Sequence, residues 1–423
     1  MVVKVGIDTG DSVKVLFIHQ NFPGQFKFLA PELVDKGYKV YALIPPTAGV
    51  KTWRGVTLLN YEIERGNSPG IHEWLIDFES KTIRAEALYR AALKYRDDGF
   101  APDVIVAHPG WGESLLVKEV WPDAKLGIYC EFYYQAEGLD VGFDPEFRKD
   151  DPGETGRLAW KNLNNLLHIQ NADAAISPTV WQASTYPTSF REKMSICHEG
   201  IDTASITPNT EVSVVLGDGT RLSAGDPVVT FVSRSLEPYR GFHTFMRSLP
   251  ELLSNCPTTT VIIIGDESKG YGELPTSGHS WKMLLAQEIN AAMTPEQWDR
   301  IHFLGRIPHD QFLAVLQVAS VHVYLTYPFV LSWSLLEAMS VGCAVVGSRT
   351  GPVMEVITDE KNGRLVDFFD PSQLSQQICH LLNSPSERSR LGAAARSFVR
   401  DNYDLRSKCL PRQIEWIERL ANA

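Results

Sequence analysis

Short, mainly apolar runs recur along the first half of the chain, each about five residues long. Runs of this length without polar alternation are typical of strands buried on both faces of a parallel sheet. The runs cover residues 13–18, 39–44, 103–107, 125–129 and 172–177.

Amphipathic stretches separate several of these runs. Residues 24–36 place Leu29 and Leu33 on one helical face. Gly37 follows, and glycine commonly terminates helices. A second, longer helix is predicted for residues 73–97. Strands joined by helices form βαβ units, so the first half is predicted to be α/β with a parallel sheet.

The pattern breaks near residues 199–202 and then resumes. Residues 203–227 are rich in Thr, Ser, Gly and Asp, and within them 214–222 predict a small hairpin turning at Gly217-Asp218-Gly219. Further apolar runs, alternating with helical stretches, predict a second α/β domain. These runs cover residues 228–233, 259–264, 301–304, 321–325 and 344–347.

The expected organisation is therefore two doubly wound domains. The first is predicted over residues 1–203 and the second over 204–400, with a segment 401–423 whose helix is expected to cross back to the first domain. Such folds bind ligands at the carboxyl ends of their strands, which predicts a site in a cleft between the domains.

Length and charge narrow the function. A chain of 423 residues is too long for one core. A net charge of −11 argues against nucleic acid as the main partner, because phosphate binding needs a basic surface. No signal peptide is expected in residues 1–11, and no apolar run reaches the ~20 residues of a membrane span. We expect a cytoplasmic protein, with peripheral contact at the inner face of the membrane left open.

The six cysteines are scattered, and the sequence contains no C-x-x-C pair. Buried free thiols in a reducing compartment are therefore expected. They stand at Cys130, Cys197, Cys256, Cys343, Cys379 and Cys409.

Two arginines stand at the end of the first strand in the second domain. Arg234 follows the run 228–233, and Arg240 precedes Gly241 at the start of a helix. Two cations beside a helix N-terminus suit a diphosphate. Taken on spacing alone, a pair of solvated surface arginines is the alternative that we favour.

Glu337 lies within an apolar helix, between Leu336 and Ala338. Burying a carboxylate alone is costly, so it is expected to pair or bind. It could accept hydrogen bonds from the vicinal hydroxyls of a ribose, or it could be a structural, salt-bridged glutamate.

His108 follows the run 103–107 and precedes Pro109-Gly110-Trp111-Gly112. This is a typical place for a ligand-binding loop, and His19 occupies a similar one. A structural histidine is the alternative at both positions.

Together these pieces resemble glycosyltransferase family 4, whose members have the GT-B fold of two Rossmann-like domains with an interdomain cleft. The resemblance extends from about Val13 to Tyr403. Each motif is weak alone, and their order and spacing make the signal specific. The motifs are Phe22-Pro23-Gly24-Gln25-Phe26, Gly200-Ile201-Asp202, Arg234 with Arg240, Glu337 to Val345, Gly351 to Ile357, Asn362 to Val366, and Asp370.

The resemblance implies where a nucleotide-sugar donor would bind. By this resemblance, Glu337 would bind the ribose, and Arg234 and Arg240 would bind the diphosphate. Main-chain groups of two segments would contact the base and the phosphates or sugar, and the glycine loop of the first domain would also meet the donor. Those main-chain positions are Gly305, Arg306 and Ile307 for the base, Leu331, Ser332, Trp333 and Ser334 for the phosphates or sugar, and Gly24 in the loop.

Three positions depart from the family pattern. The family usually has a sugar-contacting glutamate eight residues before Glu337, where this chain has Phe329. Arg240 replaces the usual lysine and keeps the charge with a different geometry. Glu131 stands about where the family often has a histidine facing the reacting centre. Glu131 could orient or deprotonate an acceptor hydroxyl, or it could be structural.

The expected function is that of a retaining hexosyltransferase acting on a UDP- or GDP-linked sugar. The first domain would bind the acceptor, a glycan, a lipid-linked glycan or a small molecule, in polysaccharide or glycolipid assembly. No metal and no permanently bound cofactor are expected. The alternative is a non-catalytic nucleotide-sugar-binding protein of the same fold; a phosphorylase, an epimerase or an NAD-dependent enzyme is a weaker one.

Overall fold

The computed structural model of the chain describes residues 12–47, 49–148 and 151–423. The segment 1–11, for which no signal peptide is predicted, lies outside the described residues. The described residues divide into two compact units. The first unit holds the residues up to Ala136, those from 151 to Glu199, and Cys409–Ala423. The second unit holds Glu137–Arg148 and Gly200–Lys408.

In the first unit, the described residues form an eight-stranded sheet in the order β3-β4-β2-β1-β5-β6-β7-β8. All neighbours are parallel except β3 and β4, which form an antiparallel hairpin. The strands are β1 Lys14–Ile18, β2 Lys39–Ile44, β3 Thr52–Trp53, β4 Val56–Asn60, β5 Val104–Ala107, β6 Lys125–Tyr129, β7 Ala174–Ser177 and β8 Met194–Ile196.

The helices of this unit connect successive strands. They are α1 Leu29–Asp35, α2 Ile76–Asp97, α3 Val117–Val120, α4 Glu154–Asn171, α5 Val180–Ser184 and α6 Thr188–Arg191. The predicted helix over 24–36 is shorter in the structure. Gly24–Phe26 is a separate 3-10 turn that begins at Gly24, whose φ is +46°, and α1 begins three residues after this turn ends.

A helix from the far end of the chain completes the first unit. This helix, Leu410–Ala421, packs on β6 and is numbered α15 in chain order. Trp416 lies so close to β6 that a Cβ on Gly127 would stand 2.5 Å from its ring. The absence of a side chain at Gly127 is therefore what admits this helix.

In the second unit, the described residues form a six-stranded parallel sheet in the order β13-β12-β11-β14-β15-β16, with a separate hairpin of β9 and β10. The hairpin is the one predicted around Gly217–Gly219. The strands are β9 Ser213–Val215, β10 Arg221–Ser223, β11 Val228–Ser235, β12 Thr260–Asp266, β13 Ile301–Gly305, β14 Val321–Tyr324, β15 Ala344–Ser348 and β16 Arg364–Val366.

Helices cover both faces of this second sheet. Alternate strand residues therefore enter two apolar cores, Phe231 and Ile263 in one, Ile262 and Val345 in the other. The helices are α7 Phe242–Asn255, α8 Trp281–Asn290, α9 Pro295–Trp298, α10 His309–Val318, α11 Trp333–Ser340, α12 Gly351–Met354, α13 Pro371–Leu382 and α14 Pro385–Tyr403.

Residues 137–148 interrupt the first unit in sequence but pack within the second. Tyr239 donates its hydroxyl proton to Asp140, and Tyr327 donates to Asp144 at 2.9 Å. Glu146 accepts two hydrogen bonds from Arg247, each 2.6 Å. The apolar pattern of the sequence did not indicate this segment, because it forms no helix or strand and its contacts reach far along the chain.

The predicted class of two Rossmann-like α/β domains is confirmed. Among the described helices, none combines the length and apolar character needed to cross a membrane.

Candidate functional site

A cavity of about 100 Å³ opens at the carboxyl end of β11. Arg234 lies in the last part of this strand and is exposed, whereas Arg240 is only 6% exposed. Between them the chain turns back through the 3-10 turn Pro238–Arg240. The structure therefore brings the two arginines to one cavity, and Arg240 is a buried cation instead of a solvated surface side chain. The lining residues are Arg234, Ser235, Glu237, Arg240, Lys269, Gly270 and Tyr271.

Gly241 makes the turn after Arg240 possible. Its φ is +68°, and a Cβ there would lie 2.3 Å from the Cβ of Leu325. Only glycine meets both constraints without displacement. The turn thus fixes where Arg240 stands at the N-terminus of α7.

Hydrogen bonds hold the Arg240 guanidinium in place. Its Nη1 donates to Thr326 Oγ1 at 2.8 Å and to the Val330 carbonyl at 3.0 Å. The guanidinium carbon also lies 5.2 Å from the ring centroid of Tyr271. The charge is therefore preorganised before any ligand arrives.

Tyr324 links Arg240 to the N-terminus of α11. Its hydroxyl oxygen lies 3.4 Å from Arg240 Nη1 and accepts the Ser332 N–H at 2.8 Å. Ser332 is the residue before α11, so the segment predicted to contact phosphates lies next to the buried arginine. This segment comprises Leu331, Ser332, Trp333 and Ser334.

A buried carboxylate organises the other wall of the cavity. Glu237 is 3% exposed, and it accepts the N–H of Tyr271 at 2.9 Å and of Gly272 at 2.8 Å. Desolvation by burial raises the pKa of Glu237. A Cβ on Gly270 would lie 2.1 Å from Glu237, so that loop position also requires glycine.

The loop held by Glu237 adds a third cation to the cavity. Lys269 is exposed and lies 3.6 Å from Glu273, which is also exposed. An exposed pair of this kind contributes little and opens readily. Three cationic side chains thus face one carboxylate, an arrangement that suits an anion with two or more charges. The sequence pattern did not indicate Lys269.

Phe329 lies in an aromatic cluster beside this cavity. Its ring is 5% exposed and stands 4.8 Å from Tyr271 and 5.4 Å from Tyr239, centroid to centroid. The position where the resembling family has a carboxylate therefore carries an apolar surface that packs against the loop of Lys269.

Glu337 is paired in the structure. Its Oε1 lies 2.7 Å from His309 Nε2, and its side chain is 12% exposed. The His309 side chain is 56% exposed. Glu337 therefore has a side-chain partner, as the structural alternative predicts, and it also remains partly exposed on α11.

The segment predicted to contact a base lies next to this pair. Gly305 ends β13 with a φ of +64°, and His309 begins α10 four residues later. Arg306 forms an ion pair with Asp266, and Ile307 packs against the apolar core. The structure thus brings the segment 305–307 and Glu337 together through His309.

A second group of polar residues lies in the first unit, at the carboxyl ends of β1, β5 and β6. His108 is 3% exposed, and its Nδ1 accepts the Gly110 N–H at 3.1 Å. In a neutral ring Nε2 then carries the proton, and it lies 3.6 Å from Glu131 Oε2. Within the described part of the chain this Nε2 has no hydrogen-bond partner.

Gln25 connects Glu131 to a second histidine. His19 Nδ1 accepts the Asn21 N–H at 3.0 Å, so its Nε2 donates to Gln25 Oε1 at 2.7 Å. The Gln25 amide nitrogen then points to Glu131 Oε1 at 3.5 Å. Desolvation by burial lowers the pKa of His19 to about 4, which keeps it neutral at neutral pH.

Gly24 is required by the same group. A Cβ at this position would lie 2.4 Å from the His19 ring. The glycine therefore lets the loop after β1 close over His19 and place Gln25. The sequence motifs indicated roles for Gly24 and Glu131. Gln25 stood in the same motif as Gly24 without a role, because its contact with Glu131 joins residues 106 positions apart.

One group among the described residues has metal-ligand chemistry. It consists of Asp144, Glu146 and His243. Glu146 is held bidentately by Arg247, and Asp144 accepts from Tyr327 while lying 3.1 Å from His243. These carboxylates are already engaged by side chains of the protein.

Two family models match the chain. The model described as "Glycosyl transferase family 4 group" matches residues 36–206, and that described as "Glycosyl transferases group 1" matches residues 219–398. The chain is also 26% identical over 262 residues to a GDP-mannose-dependent alpha-(1-6)-phosphatidylinositol monomannoside mannosyltransferase of Mycolicibacterium smegmatis. That match covers 60% of this chain and 63% of the relative, less than two thirds of its length.

Solved structures show the same fold. Sucrose-phosphate synthase from Thermosynechococcus elongatus superposes with a TM-score of 0.71 at 16% identity, covering 97% of this chain and 100% of that one. HepE from Anabaena, solved in complex with UDP and glucose, superposes with a TM-score of 0.66 at 16% identity, covering 96% and 100%. At these identities the likeness concerns the fold alone.

Proposed function

Because the chain is a glycosyltransferase of GT-B fold similar to family 4, we propose that it transfers a hexose from a nucleoside-diphosphate sugar to an acceptor hydroxyl. The observation that carries this proposal is the cationic cavity of the second unit, where Arg240 is buried and held beside the N-terminus of α11. A UDP- or GDP-linked donor supplies the diphosphate that such a cavity suits.

The arginines act on the leaving group. When the bond between the sugar and the diphosphate breaks, negative charge grows on the departing phosphate oxygen. Arg234, Arg240 and the α11 N-terminus stabilise that charge, and because Arg240 is fixed in advance, little reorganisation is needed. Lys269 adds a third positive charge at the rim.

The nucleoside end of the donor is assigned to the second unit as well. In this proposal Glu337 Oε2 accepts from the ribose hydroxyls, while Oε1 stays with His309. The main chain of Gly305, Arg306 and Ile307 contacts the base. These contacts hold the donor so that its anomeric carbon is correctly placed.

The acceptor is assigned to the first unit. Glu131, with His108 and Gln25 beside it, orients the attacking hydroxyl, and Gly24 gives the loop room. Transfer proceeds with retention, the hydroxyl attacking from the face that the diphosphate leaves. The departing phosphate takes the hydroxyl proton, so no nucleophilic carboxylate and no metal ion are required. The acceptor class is a glycan, a lipid-linked glycan or a small molecule, in polysaccharide or glycolipid assembly.

Arg234→Ala and Glu337→Ala test this function directly. Each is expected to reduce transfer at least 100-fold, since each removes a contact to the donor, while circular dichroism and thermal unfolding stay close to wild type. Arg221→Ala, on the separate β9–β10 hairpin, is the matched control and should leave transfer unchanged. The assay screens UDP- and GDP-sugars by calorimetry and then follows release of the nucleoside diphosphate.

The same assay separates the enzyme from a non-catalytic binder, the alternative that Phe329 favours. Tight binding of a nucleotide-sugar without product or hydrolysis would support the binder. Near-normal transfer by Arg234→Ala would overturn the site assignment.

A further inference from the structure

Two cysteines that are far apart in sequence meet in the second unit. Cys256 follows the last residue of α7, and Cys379 lies within α13. Their sulfur atoms are 2.8 Å apart, and both are free thiols in this structure. We propose that Cys256 and Cys379 form an intrachain disulfide when the protein meets a small disulfide oxidant.

The packing around the pair holds the two thiols close together. A disulfide bond is about 2.05 Å long, so the two sulfurs need to approach by less than an ångström. Helices α7 and α13 share one apolar core, in which Leu252, Ile378 and Leu381 are fully buried. The two helices are thus packed against each other with the two sulfurs side by side.

The backbone at Cys256 is also anchored. Arg300 Nη1 donates to the Cys256 carbonyl at 3.1 Å and to the Thr259 carbonyl at 3.2 Å, and Nη2 donates to the Leu253 carbonyl at 2.9 Å. Cys256 therefore keeps its place at the end of α7 while its side chain turns.

Exposure decides the order of the chemical steps. Cys379 is partly exposed, whereas Cys256 is 7% exposed. The Cys379 thiolate attacks one sulfur of a small disulfide, forming a mixed disulfide and releasing one thiolate. The Cys256 thiolate then attacks the Cys379 sulfur and releases the second thiolate. The protein loses two protons and two electrons, and the small disulfide is reduced to two thiols.

Burial raises the pKa of Cys379 to about 12. Since the thiolate is the nucleophile, little of it exists at neutral pH and closure is slow there. As long as the pH stays below that pKa, the rate should rise about tenfold for each unit by which the pH is increased. Closure at neutral pH is therefore too slow for a rapid signal.

The other cysteines provide the comparison. Cys343 is buried and donates to the Leu316 carbonyl at 2.9 Å, and Cys130 is buried in the first unit. Cys197 and Cys409 form a second near pair, in which Cys197 Sγ donates to the Cys409 carbonyl at 3.4 Å. Peptide mapping distinguishes that pair from the proposed one.

The experiment incubates the full chain with oxidised glutathione at pH 7.5, 8.5 and 9.5, followed by alkylation under denaturing conditions. Mass spectrometry of the digest should show the Cys256 and Cys379 peptides joined, with the yield rising with pH. The oxidised protein should also unfold at a higher temperature, by an increase on the order of 10 °C, because the bond closes a long loop.

Two variants complete the test. Cys379→Ser should abolish the joined peptides, whereas Cys343→Ser should leave them unchanged. Glutathione attached to Cys379 without linkage to Cys256, or no reaction of either cysteine in the folded wild type at pH 9.5, would overturn the proposal. Peptide mapping of the wild-type protein tests the proposal even if a variant does not fold.

Discussion

Arg240 combines three properties that rarely occur in one side chain. It is charged, it is nearly inaccessible to solvent, and its Nη1 donates to both Thr326 and the Val330 carbonyl. A lysine at this position, as in the resembling family, would carry the same charge but present a compact ammonium on a flexible stem. Substitutions at this residue can therefore distinguish the contribution of charge to ligand binding from the contribution of geometry.

We predict that Arg240→Lys weakens UDP or GDP binding about tenfold, about 1.4 kcal/mol, because the charge remains while the fixed fork is lost. Arg240→Met should weaken it about 100-fold or more, since no charge is left to face the diphosphate. Isothermal titration calorimetry measures both. Arg221→Lys serves as the control, and equal binding by Arg240→Lys and Arg240→Met would contradict the electrostatic role.

The sequence motifs indicated residues whose position follows from their own strand or helix. They missed residues that reach a site only through contacts with distant parts of the chain. Arg234, Arg240 and Glu337 stand at recognisable places after a strand or within a helix, so order and spacing identified them. Lys269 belongs to no such pattern, and the motif that contains Gln25 gives this residue no role. They reach their sites only because Glu237 holds one loop and Gly24 admits the other, which are contacts between distant parts of the chain.

At the level of elements, the turn between β11 and α7 controls the cationic cavity. The turn contains Gly241, whose φ is positive and whose missing side chain makes room for Leu325. Gly219, in the β9–β10 turn, also has a positive φ, of 88°, but a Cβ there would meet nothing within 4 Å beyond its chain neighbours. The two glycines therefore differ in crowding and not in backbone conformation.

Gly219→Ala should cost about 1–2 kcal/mol of unfolding free energy, the usual cost of a left-handed alanine. Gly241→Ala should cost at least about 3 kcal/mol and also weaken nucleotide binding, because Leu325 must move and Arg240 with it. Urea unfolding and calorimetric titration with UDP give the two quantities. If Gly241→Ala matched Gly219→Ala in both, crowding at the turn would be unimportant.

Most elements followed from the apolar pattern, since a buried parallel strand is an uninterrupted apolar run and most strands here are. The exceptions have physical causes. β3 and β4 are short or only partly buried, so their side chains are mixed. The segment 137–148 forms no helix or strand. It contacts its neighbours through isolated polar pairs and through the rings of Phe143 and Phe147, which leaves no periodic signal.

For the whole molecule, buried neutral histidines set the response to acid. Desolvation by burial lowers the pKa of His19 and His168 to about 4 and of His198 and His322 to about 3. The unfolded chain, with histidine pKa values near 6.5, then binds more protons than the folded chain between these values. Stability is therefore fully present above pH 6.5 and is lost as the pH falls towards 4.

Three of these histidines lie in the first unit and one, His322, in the second. Between pH 7 and pH 5 each should remove about 2 kcal/mol of unfolding free energy from its unit. We therefore predict that acidification lowers the unfolding free energy of the first unit more than that of the second. Urea unfolding at the two pH values, with peptide-resolved pulse labelling by hydrogen exchange, reports each unit separately; equal losses in both units would contradict the prediction.

The helix α15 has a consequence for the order in which the molecule is made. It packs on β6 of the first unit, yet the ribosome synthesises it after every residue of the second unit. The second unit in turn includes residues 137–148, which are synthesised before the rest of that unit. During synthesis, the surface of the first sheet beside Gly127 therefore stays uncovered until the whole second unit, and then α15, has been made.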